Sequence, residues 1–214
     1  MTLLSFIHEH DRVQLLTDTL ATDPGGAPQQ FTDKVFTYAS RDMVMAGTGY
    51  AALLSAWDHK LRESVLAVDL SQIDAFASDV LNDLWNDLRQ SQDLPDEATA
   101  TIYHFGFERD TKEAVRIAYR SKSDFVSERT TEPGFGIKPQ PSDLRLPESM
   151  DDWIKIAVDL REEQDSGPAE GRIWIGGQLI HTVLTPDEVF QRRVHEFVDY
   201  GEQWNLMNAM NDLM

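Results

Sequence analysis

Thr17-Asp18-Thr19-Leu20-Ala21-Thr22 is the stretch on which the reading of this chain turns. It closes a run, residues 13–19, that reads as a strand and pairs as a hairpin with residues 3–8 across the turn His10-Asp11-Arg12. Sixteen residues before Asp18 stands Thr2, and sixteen after it stands Lys34. Asp23-Pro24-Gly25-Gly26-Ala27-Pro28 reads as a turn-rich loop. Beyond it, residues 34–38 and 43–46 flank Ser40-Arg41-Asp42 and predict a second hairpin.

Gly47-Thr48-Gly49 leads into a helix, with Ala51, Leu54, Trp57, Leu61 and Val65 at helical spacing. The next stripe is wider. Ile73, Phe76, Val80, Leu84 and Leu88 are joined by Ala77, Leu81 and Trp85, which makes a helix whose apolar face must cover something. Strands return at 100–107 and 114–119, with a shorter one at 124–129 that Pro133-Gly134-Phe135-Gly136 breaks. Ser149 reads as a cap for a helix carrying Trp153, Ile156, Ala157 and Leu160. Residues 172–175 and 178–183 flank Gly176-Gly177 as a hairpin. Thr185-Pro186-Asp187-Glu188 has the form of a helix start, so a C-terminal helix and tail are expected from about 186, with Val189, Phe190, Val194, Phe197 and Val198 on one stripe. In the tail, Leu206, Met207, Met210 and Leu213 read as core packing. Segregated blocks of strands and helices indicate an α+β class.

A length of 214 residues with 41% apolar side chains suits one domain, and the expectation is a single one over 1–214. The net charge of −18 argues against polyanionic partners, so neither nucleic acid nor an anionic membrane is expected. There is no cysteine, which excludes disulfides, thiol nucleophiles and thiolate metal sites. No apolar run reaches the ~18 residues of a membrane span. The start Met1-Thr2-Leu3-Leu4-Ser5 carries no basic segment, and its apolar stretch ends at His8-Glu9-His10-Asp11, so a cytoplasmic chain without a signal peptide is expected.

Chemistry enters at Thr2. Removal of Met1 would leave a threonine that holds a hydroxyl nucleophile and a free α-amine in one residue. That amine titrates near ~8 and can accept the hydroxyl proton, replacing the histidine of a serine-type triad. Such a site needs a nearby cation to keep the amine neutral, a carboxylate to orient that cation, and a backbone N–H as oxyanion donor.

Thr2, Asp18 and Lys34 at this spacing resemble the proteasome-type N-terminal nucleophile hydrolases, the proteasome β subunits and the simpler bacterial ATP-dependent protease ring. The flanking Thr17-Asp18-Thr19-Leu20-Ala21-Thr22 and the helix entry Met45-Ala46-Gly47-Thr48-Gly49 carry the same likeness. The resemblance implies a four-layer αββα sandwich and a threonine peptidase without cofactor or metal, in which Thr2 attacks, Lys34 supports and Asp18 orients the lysine. It implies Gly47 as oxyanion donor, with Gly49 as the alternative, and a substrate pocket flanked by Ala21, Thr22 and Met45. Peptide or protein would be the substrate, and a ring-like homo-oligomer the working form. An ATPase partner is compatible with the resemblance, although no residue speaks for one.

The chain also departs from that pattern. Gly134-Phe135-Gly136-Ile137 stands where those enzymes have Gly-Ser-Gly-Ser, and Leu20 stands where many have arginine. For their Asp-x-x-Ser-Gly the nearest match is Glu163-Gln164-Asp165-Ser166-Gly167, with Glu163 or Asp165 for the aspartate and Ser166 for the serine. A non-catalytic proteasome-like subunit that assembles or binds a partner is therefore the alternative. His8 and His10 share a strand face but lack a third ligand, so a hairpin end is the plainer reading than a metal site.

Overall fold

Buried side chains run almost without a break through the opening strands of the computed structural model, which describes residues 3–23, 25–63, 69–168 and 171–211. β1 (Leu4–His8) and β2 (Val13–Asp18) form the expected hairpin, with Leu4 opposite Thr17 and His8 opposite Val13. A short ribbon of β3 (Leu20–Thr22) and β4 (Pro28–Phe31) follows, and then a second hairpin of β5 (Val35–Tyr38) and β6 (Met43–Gly49). Two helices come next, α1 (Ala51–Glu63) and α2 (Leu70–Gln92). Asp69 caps α2 by accepting from the Gln72 N–H. Val65 of the first expected stripe lies outside the described residues.

The second half supplies β7 (Ala100–Phe107), β8 (Ala114–Arg120), β9 (Glu128–Thr130) and β10 (Gly134–Lys138). It ends with α3 (Met150–Ser166), β11 (Gln178–Leu184), β12 (Val189–Glu196) and α4 (Tyr200–Asn211). Among the described residues the main sheets are two, each of five antiparallel strands, ordered β10-β1-β2-β11-β12 and β5-β6-β7-β8-β9. With four helices beside them, the class is α+β. No helix among the described residues is long and apolar enough to cross a membrane.

Period-2 parity sorts the strand side chains into separate cores. Met43 and Met45 of β6, with Val115, Ile117 and Tyr119 of β8, pack with Trp57 and Leu61 of α1 and Ile73 and Leu81 of α2. The alternate residues Val44 and Ala46, with Phe105 of β7, pack instead with Phe6 of β1 and Leu15 of β2. On the other face of the first sheet, Leu16 and Leu179 meet Trp153, Ile156 and Leu160 of α3. All eight residues of β7 are buried, which explains why that strand is apolar almost without interruption.

Four expectations are corrected. The helix expected from about 186 is the edge strand β12, paired with β11. Thr185 makes a turn rather than a helix cap: its hydroxyl accepts from Asp187 and Glu188, and its N–H donates to the Glu188 carbonyl. Pro133-Gly134-Phe135-Gly136 does not break a strand but opens β10 against β1. Gly136 is required there, because a Cβ would lie 2.4 Å from the Phe6 ring. Residues 124–129 are not a strand: Asp124 and Phe125 have positive φ, and β9 begins at Glu128. Gly176-Gly177 is not a hairpin turn, since β11 pairs with β2 and β12. In the tail, Met207 is buried and Leu206 is exposed, while Leu213 lies outside the described residues.

Candidate active site

Asp18 ends β2 and is fully buried, so each carboxylate oxygen needs a donor. Oδ1 accepts from the Leu3 N–H at 3.0 Å and from Lys34 Nζ at 2.7 Å. Oδ2 accepts from the Gly176 N–H at 3.2 Å. Lys34 enters from the link between β4 and β5, and its Nζ donates a second bond to the Leu20 carbonyl at 2.7 Å. Only 11% of the lysine side chain is exposed. Burial pushes its ammonium below the ordinary lysine value, against the opposing pull of Asp18.

The hinge that shapes this corner is Gly176-Gly177. The Gly176 carbonyl accepts from the Leu20 N–H at 3.2 Å, while its own N–H serves Asp18. At Gly177, φ is +76°, and a Cβ would lie 2.4 Å from the Thr19 hydroxyl. Thr19 Oγ1 accepts from the Gln178 N–H at 2.9 Å. Sequence reasoning missed this strap. Its signal was present in the glycine pair, which marks a close backbone approach as readily as a turn.

A cavity of about 180 Å³ opens beside the pair. Lys34 lines it, with Leu20, Ala21 and Thr22 of β3 on one wall and Gly47, Thr48 and Gly49 of β6 on another. Gly49 has φ +96°, and a Cβ there would fall 2.0 Å from the Thr99 carbonyl oxygen, so only glycine fits. Of the residues expected from sequence, Asp18, Lys34, Gly47, Gly49, Ala21 and Thr22 thus come together around one corner. Thr2 lies outside the described residues.

Met45 does not line this cavity. It is fully buried in the core with α1 and α2, on the helix-facing parity of β6. Glu163, Asp165 and Ser166 are exposed at the end of α3 and do not reach the Asp18–Lys34 pair. The Glu163 carboxylate accepts from the N–H and hydroxyl of Ser142, both at 3.2 Å, and Asp165 pairs with Arg161. Asp18 is supported at Oδ2 by the Gly176 N–H and not by any of these three side chains. His8 is held through Nδ1 at the Glu132 carbonyl, 2.9 Å away, and His10 faces Glu113 instead.

No protein-family model matches the chain, and no curated protein matches it. Solved structures do. An Anbu (Gly-1) mutant from Hyphomicrobium sp. strain MC1 is 14% identical, with 100% of this chain and 96% of that one covered and a TM-score of 0.60. Anbu (ancestral beta-subunit) from Yersinia bercovieri is 9% identical, with 98% and 93% covered and a TM-score of 0.61. A further Anbu structure from Hyphomicrobium sp. strain MC1 is 14% identical, with 100% and 94% covered and a TM-score of 0.57. These findings correct the resemblance to proteasome β subunits and the bacterial protease ring, because Anbu is a proteasome-like relative and a distinct family. At identities this low the likeness shows the fold, which this chain shares with Anbu proteins from end to end.

Proposed function

We propose that this chain is a proteasome-like subunit acting as a threonine-type amide hydrolase on peptides or proteins. In this reading Met1 is removed, Thr2 attacks the amide carbonyl and its own α-amine takes the hydroxyl proton. Lys34 holds positive charge beside the amine and Asp18 fixes the lysine, while the Gly47 or Gly49 N–H stabilises the oxyanion. Residues 1–214 act as one unit, layered αββα, in a ring-like homo-oligomer in the cytoplasm.

One observation carries the reading. Asp18 Oδ1 receives both Lys34 Nζ and the Leu3 N–H, and the Leu3 nitrogen is the atom through which Thr2 joins the chain. The supporting cation is thereby tied, through one oxygen, to the backbone next to the proposed nucleophile. The cavity between β3 and β6 beside Lys34 offers room for a substrate side chain.

A panel of fluorogenic peptides tests the reading. The native chain should release the fluorophore, Thr2→Ala should abolish release, and Lys34→Ala should lower the rate by at least ~10². Thr2→Ser should retain part of it. Absence of hydrolysis by the native, oligomeric protein favours the other reading, a non-catalytic assembly subunit. That reading draws on Glu163, Asp165 and Ser166 standing away from the pair.

A further inference from the structure

Where the start of α3 meets the first sheet, a cavity of about 420 Å³ is lined by Ile7, Gln14, Trp153, His181 and Arg192, with Glu148 and Met150 on either side of the Ser149 cap. It is separate from the Asp18–Lys34 corner. Gln14 and Asp18 stand toward opposite ends of β2, about 13 Å apart along the strand.

A chain of hydrogen bonds fixes the state of the buried histidine in this wall. Arg12 donates to Glu9 Oε2 at 2.8 Å and holds that carboxyl below its ordinary value, so Glu9 is a carboxylate that only accepts. Gln14 Nε2 donates to the same oxygen at 3.4 Å, which leaves the Gln14 carbonyl oxygen to face His181 Nε2, 3.2 Å away. A carbonyl only accepts, so the proton of His181 sits on Nε2 and Nδ1 carries a lone pair. The ring is neutral at ordinary pH, because burial, with Arg192 and Arg12 nearby, lowers its pKa to about 4. His181 is only 4% exposed, and its Nδ1 has no hydrogen-bond partner among the described residues. A buried acceptor without a donor is costly, so the cavity beside it suits a ligand that donates.

The remaining walls narrow the ligand further. Arg192 is the direct cross-strand partner of His181, so the two side chains leave the same face of the sheet with Cβ atoms about 5 Å apart. Arg192 is exposed and makes no ion pair among the described residues. Glu148 brings a carboxylate to the cavity. The Trp153 ring meets His181 edge to face, with centroids 5.8 Å apart. Its indole N–H is spent on Ser5 Oγ at 2.8 Å, so what Trp153 offers the cavity is apolar surface. Ile7 and Met150 extend that surface.

We propose that this cavity binds a free α-amino acid with a large apolar side chain. Its ammonium donates to His181 Nδ1 beside Glu148, its carboxylate pairs with Arg192, and its side chain lies against Trp153, Ile7 and Met150. An α-amino acid carries donor and anion on one carbon, which suits a lone pair and a guanidinium on facing positions of neighbouring strands. An internal residue of a peptide carries neither charge. The proposal goes beyond the hydrolase reading and needs neither Thr2 nor Lys34.

Isothermal titration calorimetry of the native chain at neutral pH with L-leucine tests it. Glycine, L-leucinamide and 4-methylpentanoate serve as probes that lack the side chain, the carboxylate and the ammonium in turn. L-Leucine should bind at least about tenfold more tightly than each of the three. Arg192→Gln, at an exposed position on the edge strand, should weaken L-leucine by about tenfold and leave L-leucinamide unchanged. Nitrogen-resolved NMR reads the histidine directly: the Nδ1 resonance of His181 should move as L-leucine saturates the native chain. Any one of four results overturns the proposal: no binding of L-leucine up to ~10 mM, equal affinity for L-leucine and L-leucinamide, equal affinity of the native chain and Arg192→Gln for L-leucine, or an unmoved His181 Nδ1 at saturation.

Discussion

Lys34 Nζ stands 2.7 Å from Asp18 Oδ1, joining a fully buried carboxylate to an almost buried ammonium. Removing one partner of such a pair leaves the other charge in low dielectric without compensation. Asp18→Ala should therefore destabilise the fold by about 3–5 kcal/mol in urea unfolding. The double variant Asp18→Ala/Lys34→Met should be more stable than the sum of the two single losses implies. Strict additivity would show that the pair is not energetically coupled.

The lowered pKa of Lys34 gives a pH signature with a definite sign. Burial is the larger cause and opposes the charged form in the folded chain. Between the depressed folded value and the ordinary value near ~10.5, the unfolded chain binds more protons than the folded one. The Lys34 contribution to stability is therefore fully present above the ordinary value and falls away as pH drops through the folded one. Unfolding free energies of the native chain and Lys34→Met, compared at neutral and at alkaline pH, should show the native chain gaining on the variant as pH rises. A narrowing in the opposite direction contradicts the burial argument.

His104 makes the corresponding case in the helix-covered core. Trp57 Nε1 donates to its Nε2 at 2.8 Å, so that nitrogen is an acceptor and the ring is neutral. Burial lowers its pKa to about 3. Nitrogen-resolved NMR of the imidazoles should show no titration of His104 between about pH 7 and pH 5. The stability it supports is complete above the ordinary histidine value and is lost as pH falls toward about 3, by up to ~1.4 kcal/mol per pH unit. A titration of His104 near its ordinary value would remove this contribution.

Much of this was legible in the sequence, and the failures have physical causes. The two opening hairpins, α1, α2 and α3 followed from strand and period-3.6 patterns, and the pairing of Asp18 with Lys34 from the resemblance that their spacing carries. Thr185-Pro186-Asp187-Glu188 misled because the same residues that cap a helix also make an ST turn, and strand pairing with β11 decided between them. Met45 was placed at the substrate by resemblance. Its parity with Met43, opposite to Val44 and Ala46, already assigned it to the helix-covered face. The role of Gly176 depends on a contact 158 residues distant in sequence, which no local pattern encodes.

Assembly should respond to salt in the direction that the net charge of −18 per chain dictates. Like-charged subunits repel most where screening is least, so a homo-oligomer should dissociate at low ionic strength and tighten as salt rises toward ~0.15 M. Sedimentation velocity across a salt series checks this. A monomer at micromolar concentration throughout would remove the ring from the account.

Intact-mass spectrometry of the hydrolytically active protein, purified from its native cell, tests the central claim most directly. In the proposed mechanism a free α-amine on Thr2 takes the hydroxyl proton. The account predicts that active molecules begin at Thr2, with the mass of the chain less Met1. Fully active protein that retains Met1 would contradict it.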